Sequence, residues 1–236
     1  MSEYVEVGYP IYTGMPVYPG LPEVTLAPRE QIANGDYWNG TVLSIYTHAG
    51  THVDAPCHYV EGAKGIDEVP IADFIYKRPL LLSTFWEPGH LVDVAEMRQL
   101  GGDALFEADI LFFNTGHWRF RDTNFPQYYT DFPALSPEAA EYIRTELPRV
   151  KAVAIDTLSI ENMGLGATNG FRTHNAFLNP DLFAERTLLI YEDYNPEPLI
   201  GKTLLSAFTA PLRLAGRDGT VVNIVVEIEN CPESAR

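Results

Sequence analysis

The sequence predicts an α/β domain with a mixed β-sheet or barrel-like core and flanking helices. Short apolar runs recur along the chain, as expected for strands that are buried on both faces. A well-capped helix lies between two of these runs and indicates a βαβ-like unit, although an α+β arrangement stays open. No repeat or linker divides the 236 residues, so we expect one domain over 1–236.

The predicted strands alternate with turns rich in glycine and proline. Residues 1–12 contain a short apolar alternation typical of an edge strand, and 41–47 form a β-branched and aromatic strand. The runs at 80–85 and 110–113 indicate interior strands. Further strands are predicted at 150–156, 186–194 and 221–228.

The clearest helix begins after Ser136. This residue is a favourable N-cap, Pro137 suits the first helical position, and Glu138 places a negative charge in the first turn. Ala140, Ile143 and Leu147 follow at helical spacing. They predict a face directed toward the core.

The composition excludes several classes of partner. With 32 acidic against 16 basic side chains, the formal net charge of −16 disfavours nucleic acid and anionic membrane surfaces. Neither a long apolar run nor a signal-peptide pattern occurs, so we expect a cytoplasmic protein. The two cysteines, Cys57 and Cys231, are expected to be free thiols.

Four side chains suited to metal binding or proton transfer crowd into 47–59, THAGTHVDAPCHY: His48, His52, Asp54 and His58. All four occupy even positions, which share one face of an extended strand. A straight strand would separate the first two histidines by about 13 Å, too far for one ion. We therefore predict a bend at Gly50 and a turn at Pro56 that gather the side chains.

Imidazole and carboxylate ligands suit Zn²⁺ or a similar divalent ion such as Mn²⁺. The absence of a cysteine pair from this motif favours an open, catalytic site over a closed structural one. In such a site, the ion would lower the pKa of bound water toward about 7. The alternative is that these are unrelated histidines in a loop.

The segment HAGTHVDAPCH (48–58) resembles the His-x-Gly-Thr-His-x-Asp-x-Pro-x-His pattern of the cyclase-like metal-dependent hydrolases, which include bacterial kynurenine formamidase and isatin hydrolase. The resemblance implies a swivelling β/β/α fold, one or two metal ions and a homodimer or homotetramer. It also implies hydrolysis of an amide bond in a small, aromatic substrate, as by an arylformamidase. The alternatives are a lactone or cyclic-amide hydrolase, a cyclase, or a metal-binding protein without catalysis.

Two later residues match the family's remaining ligands. His174 corresponds to its late histidine and Glu192 to its late glutamate, after the similar stretch AIDTLSIE (154–161). Glu192 also ends an apolar strand face, where a carboxylate is costly unless it meets a positive charge. Asp193 is the alternative to Glu192 at this place.

The remaining candidates concern proton transfer and substrate binding. His58 is predicted to be the general acid/base, because its pKa lies near the working pH; the alternative is a fourth metal ligand. Tyr18 sits in the rigid turn MPVYPG (15–20) and is predicted to line the substrate pocket, unless it caps the core. Trp118 is predicted to contact a small-molecule substrate, with Tyr46 and Trp86 as further aromatic candidates.

Overall fold

A computed structural model describes residues 2–229. Cys231 lies outside these residues. The strands are β1 (Ser2–Glu6), β2 (Thr25–Glu30), β3 (Gly40–Ser44), β4 (His52–Asp54), β5 (Ile75–Tyr76), β6 (Pro79–Ser83), β7 (Leu91–Val92), β8 (Ile110–Asn114), β9 (Ala134–Leu135), β10 (Ala152–Ile155), β11 (Leu189–Glu192), β12 (Thr203–Thr209), β13 (Gly219–Val221) and β14 (Ile224–Glu229). The α-helices are α1 (Val94–Gly101), α2 (Phe125–Thr130), α3 (Pro137–Glu146), α4 (Met163–Asn169) and α5 (Arg172–Leu178).

A six-stranded mixed sheet forms the centre of the molecule, in the order β13-β4-β11-β10-β8-β6. Strands β6, β8, β10 and β11 run parallel to one another. Strand β4 is antiparallel to both of its neighbours, β11 and β13. Helix α3 lies in the connection between the parallel strands β8 and β10, which confirms the predicted βαβ unit and the α/β fold class.

A second sheet and the helices cover opposite faces of the central sheet. The second sheet is antiparallel, in the order β1-β14-β12-β5. Phe112 of β8 packs in the same buried cluster as Val226 of β14. Its neighbour Phe113 packs with Ile143 of α3. Successive residues of β8 therefore enter two different cores, and the layers run sheet, sheet, helices.

The predicted helix is confirmed, with the Ser136 hydroxyl accepting a hydrogen bond from the Ala139 amide at 3.1 Å. The predicted edge strand near the N-terminus is also confirmed as β1. None of the helices within 2–229 is both long and apolar enough to span a membrane.

Two predictions about strands are wrong. Strand β6 lies at the edge of the central sheet and not in its interior. The apolar run 221–228 is not one strand, because Val222 and Asn223 carry the chain from β13 in the central sheet to β14 in the second sheet. A continuous apolar run does not reveal which sheet each residue joins.

Strands β2 and β3 form a separate two-stranded hairpin, which we call the arm (25–44). Large apolar side chains of the arm are exposed, among them Tyr37 at 95% and Trp38 at 60%. A hairpin of two strands is marginally stable on its own in water. This arm therefore presents apolar surface that the described part of the chain leaves uncovered.

Candidate metal centre

The bend predicted in the histidine motif is present. Gly50 has a φ of +68°, in the left-handed region that glycine adopts readily, and a short 3-10 helix spans Pro56–His58. Between them, β4 contains only the three buried residues His52–Asp54. The ring of His48 is thereby brought within 5.1 Å of the ring of His52, measured between centroids.

The nitrogen and oxygen atoms of five predicted ligands converge in the interior. His48 Nδ1 lies 2.7 Å from Asp54 Oδ1, and His52 Nε2 lies 3.5 Å from the same oxygen. Glu192 enters from β11, with Oε2 3.3 Å from His52 Nε2 and Oε1 3.5 Å from His174 Nε2. Three segments distant in sequence thus meet at one point.

The second ring nitrogen of each of these three histidines is held by an oxygen. The pairs are His48 Nε2 with Asp218 Oδ2 at 2.7 Å, His52 Nδ1 with the Gly50 carbonyl at 2.8 Å, and His174 Nδ1 with Glu161 Oε2 at 2.9 Å. Such outer partners fix the orientation of metal-binding histidines. Asp218 and Glu161 were not predicted from the sequence.

The atoms present fit a divalent cation. Two sets of side chains have ligand atoms within 4.8 Å of one another: His48, Asp54 and His58, and His52, Asp54 and Glu192. Asp54 belongs to both sets, and its Oδ2 atom is buried without a hydrogen-bond partner among the described residues. A buried carboxylate oxygen without a partner is costly, and a cation would satisfy it. Cys57 belongs to neither set.

The electrostatics of the centre favour bound positive charge. Burial opposes ionisation of Asp54, but His48 and His58 outweigh it and hold the pKa of this carboxyl well below its ordinary value. Burial also disfavours protonation of His48, yet Asp54 and Asp218 raise its pKa to about 10. Asp54 and Asp218 therefore stabilise a proton on the His48 ring, and a bound cation could replace that proton.

For His174 and Glu192 as well, contacts with neighbouring groups outweigh the effect of burial on the pKa. Burial opposes the charged form of His174, whereas its contacts with Glu161 and Glu192 raise its pKa to about 9. For Glu192, burial and Asp54 oppose ionisation, but contacts with His174 and His52 hold its pKa below the ordinary value. Asp54 and Glu192, the two carboxylates among the candidate ligands, are thus ionised at neutral pH.

His58 differs from the other histidines of the centre. Its ring stacks on that of His48 at 3.9 Å between centroids, and its Nδ1 lies 3.5 Å from Asp218 Oδ2. Burial, followed by repulsion from His48 and His174, keeps its pKa below the ordinary value despite the attraction of Asp54. His58 is therefore neutral at neutral pH and able to accept a proton.

A cavity of about 160 Å³ opens over this centre. Its polar floor is formed by the histidines and Glu192. Its walls are mainly apolar and aromatic, and they contain Tyr18, Leu21, Tyr46, Tyr59, Leu158 and Met163. The structure therefore brings the predicted Tyr18, and also Tyr46, to the same cavity as the metal centre.

The wall residue Tyr59 was not singled out by the sequence. Its ring stacks on that of His174, with centroids 4.4 Å apart and planes 17° apart. The ring of Phe171 lies 5.5 Å from that of Tyr59, tilted by 54°, and 6.4 Å from that of His174. These three rings form an aromatic cluster, Phe171–Tyr59–His174, beside the cavity and at the start of α5.

Two candidates lie away from the cavity. Trp118 is on a short 3-10 helix after β8, its ring contacts the Arg119 guanidinium, and it is not among the described residues that line the cavity. Asp193, the alternative to Glu192, is directed away from the histidines and forms a buried ion pair with Arg121. Glu192 is thus the carboxylate that reaches the centre.

Comparisons with known proteins agree with this architecture. A family model described as Cyclase matches residues 5–162. Kynurenine formamidase of Geobacillus thermodenitrificans is 29% identical over 125 residues, which are 50% of this chain and 51% of that enzyme.

Solved structures extend the likeness to almost the whole chain. Isatin hydrolase A from Labrenzia aggregata aligns with a TM-score of 0.79 and 14% identity, over 96% of this chain and 94% of that one. A structure described as a potential metal-dependent hydrolase with cyclase activity aligns with a TM-score of 0.69 and 23% identity, over 98% and 100% of the two chains. These structures share the fold, and the family model covers more than half of the sequence. The chain therefore belongs to the Cyclase family, the cyclase-like metal-dependent hydrolases.

Proposed function

We propose that this chain is a metal-dependent hydrolase that uses water to cleave an amide C–N bond of a small, uncharged, aromatic molecule. The observation that carries the proposal is the convergence of three histidines and two carboxylates beside a neutral His58 in one cavity. The partial match to kynurenine formamidase supports amide hydrolysis.

The metal would be held by residues from three segments of the chain: His48, His52, Asp54, His174 and Glu192. The mixture of imidazole and carboxylate ligands suits Zn²⁺ or Mn²⁺. When bound, such a cation polarises a carbonyl group and lowers the pKa of water. One or two ions could bind, because Asp54 belongs to both sets of converging ligand atoms. Of the members of these sets, His58 is assigned to proton transfer and not to the metal.

His58 is the residue that moves the proton. It lines the cavity, its side chain is 24% exposed, and burial keeps its pKa low enough for the neutral ring to act as a base. Asp218 lies near Nδ1, which leaves Nε2 to take a proton from the attacking water and return it to the leaving nitrogen.

The cavity walls support an uncharged, aromatic substrate. Tyr18, Tyr46 and Tyr59 offer aromatic surfaces, and neither lysine nor arginine lines the cavity within the described residues. A carboxylate or phosphate on the substrate would find no side-chain cation there. Because Trp118 lies outside the cavity lining, substrate contact is assigned to the three tyrosines.

A second candidate is hydrolysis of a cyclic amide or lactone. The structural likeness to isatin hydrolase A over 96% of the chain, together with the uncharged walls, favours this alternative. His58 would perform the same proton transfer, except that the leaving atom stays attached to the opened product.

A substrate panel tests both candidates. Protein loaded with Mn²⁺ or Zn²⁺ is incubated with formylated aromatic amines, isatin and an aromatic lactone, beside metal-stripped protein and His58→Ala. Metal-dependent turnover of one class that falls in His58→Ala supports hydrolysis and identifies the class. Equal, near-zero rates for wild type and variant on every substrate would instead support a metal-binding protein without catalysis.

The exposed arm supports assembly into a homodimer or homotetramer. Tyr37 and Trp38 at its tip and Val42 on β3 are apolar surface of the kind that subunit contacts cover. Light scattering after size exclusion would show a mass of two or four chains. Replacement of Trp38 and Val42 by serine would then reduce that mass, whereas a wild-type monomer would contradict assembly.

A further inference from the structure

Arg121 is a buried cation outside the cavity. Its side chain is 2% exposed. Nε donates to Asp193 Oδ1 at 2.8 Å, and Nη2 donates to Oδ2 at 3.0 Å. A buried guanidinium requires such a paired, bidentate partner to offset its loss of water. The pair therefore constrains Asp193 at both carboxylate oxygens.

Asp193 directly follows Glu192 and has a φ of +52°. This left-handed conformation is uncommon for a residue with a side chain, and it persists only where the surroundings hold it. Besides Arg121, the hydroxyl of Tyr128 donates to Asp193 Oδ1 at 2.6 Å. With Asp193 held in this way, the preceding carboxylate of Glu192 is directed to His52 and His174.

The same network reaches the strand that carries His52. The carbonyl oxygen of Asp193 accepts a hydrogen bond from the hydroxyl of Thr51, the residue immediately before His52. The Thr51 hydroxyl also accepts from the Tyr9 amide at 2.9 Å. The Tyr9 ring in turn lies 3.9 Å from the guanidinium carbon of Arg121. Arg121 thus contacts the network at both of its ends.

We propose that Arg121 is a positioning residue of the metal centre, which holds Asp193 and Thr51 so that Glu192 and His52 face each other. It touches neither the candidate ligands nor the cavity. The proposal rests on the proposed function in one respect, because the centre must bind a divalent cation for the positioning to affect affinity. A residue that only stabilised the fold would alter thermal stability without a specific effect on the centre.

The principal test is metal affinity of metal-stripped, full-length protein, measured by calorimetric titration with Mn²⁺. Loss of residues that orient metal ligands typically weakens binding by about 10- to 100-fold. We expect Arg121→Met to raise the Kd for Mn²⁺ by at least about tenfold. Leu105→Ala is the matched control, because Leu105 is buried beside Leu82 of β6 at the opposite end of the central sheet. It should lower the melting temperature and leave the Kd unchanged.

Tyr128→Phe provides a milder variant if Arg121→Met does not fold. It removes the hydroxyl that donates to Asp193 and keeps the ion pair with Arg121. We expect a smaller loss of Mn²⁺ affinity than for Arg121→Met. Wild-type affinity in every folded variant, or an equal loss of affinity in Leu105→Ala, would overturn the proposal.

Hydrogen exchange in the metal-free protein supplies a readout that does not depend on metal. Arg121→Met should accelerate exchange in segments 50–54 and 189–194 by about tenfold or more, if the network contributes the 1.4 kcal/mol that corresponds to this factor. Leu105→Ala should not accelerate these segments selectively. If wild-type protein bound no Mn²⁺, the metal centre itself would be rejected. The positioning role of Arg121 would then be decided by hydrogen exchange alone, and unchanged exchange in Arg121→Met would reject it.

Discussion

Glu192 and His52 are register partners across the antiparallel pair of β11 and β4, and their side chains meet with Oε2 3.3 Å from Nε2. The register of the central sheet therefore places a carboxylate from late in the chain against a histidine of the early motif. Because a shift of one residue would turn either side chain to the other face, the pairing of these strands defines the centre.

Glu192→Gln tests the proposed ligand set. Glutamine has nearly the same size but lacks the negative charge, so we expect activity to fall at least about 100-fold. Loss of a residue that only orients a metal ligand typically costs about 10- to 100-fold in activity. Metal content after dialysis, measured by elemental analysis, should fall as well. Glu197→Gln is the control, because Glu197 is an exposed carboxylate shortly after β11. Full metal content in Glu192→Gln would contradict the assignment.

His58→Ala separates proton transfer from metal binding. A general acid/base typically contributes 10²- to 10⁴-fold, so we expect the turnover rate to fall by about this factor. Metal content should remain near that of wild type, because the five other candidate ligands are intact. If the variant lost its metal in parallel with its activity, His58 would instead be a metal ligand together with His48 and Asp54.

The metal-free protein should lose stability at alkaline pH. The pKa of His48 is raised to about 10 and that of His174 to about 9, because nearby carboxylates outweigh burial. Both values exceed the roughly 6.5 of an unfolded chain. The stabilisation is therefore fully present below about pH 6.5 and is lost as the pH rises through 9 to 10.

Urea unfolding of metal-stripped protein at pH 6.5 and 10 measures this loss. His174→Gln should show a smaller decrease than wild type, since one of the raised histidine pKa values is removed. Metal loading should also release protons, because the ligand rings must become neutral. An equal decrease in wild type and His174→Gln would show that His174 does not carry this charge.

Arg144→Met should destabilise the helical layer. The buried guanidinium donates to four carbonyl groups: those of Ala176, Phe177, Asn179 and Glu185. Methionine fills similar space but leaves these acceptors unpaired, so we expect a loss of at least about 3 kcal/mol in urea unfolding. Arg149→Met, which breaks an exposed pair with Glu107, should cost about 1 kcal/mol or less. Similar losses in both variants would contradict this account.

The candidate centre could be predicted in part because three of its five proposed ligands, His48, His52 and Asp54, lie in one local motif. The motif 48–58 contains its own bend at Gly50, and the spacing of the histidines indicates a shared face. Glu192 was identified because a carboxylate ended an apolar strand. The pairing of β11 with β4 then brings these two signals together.

Other features depend on contacts that no local pattern contains. Asp218 lies in a polar turn before β13, and only the fold brings it next to His48, which lies 170 positions earlier in the sequence. Glu161 ends the stretch AIDTLSIE, which resembled the family, yet nothing in that stretch indicates contact with His174. Trp118 follows a buried strand as many pocket residues do, but its short helix directs it elsewhere.

Some missed elements did carry a local signal. Helix α1 begins with a capping box, in which Asp93 and Glu96 satisfy each other's backbone amides. That spacing predicts a helix start and was available in the sequence. The division of 221–228 between two sheets had no such marker, since both halves are equally apolar.

The aromatic cluster Phe171–Tyr59–His174 has a consequence for how the substrate range of this enzyme fold could diversify. The Phe171 ring contacts that of Tyr59 and has no place among the described residues lining the cavity. A smaller side chain at 171 would let Tyr59 recede and enlarge the space for substrate while every candidate ligand keeps its identity. Directed evolution toward bulkier molecules could therefore begin at a residue that is not itself a candidate ligand or proton donor.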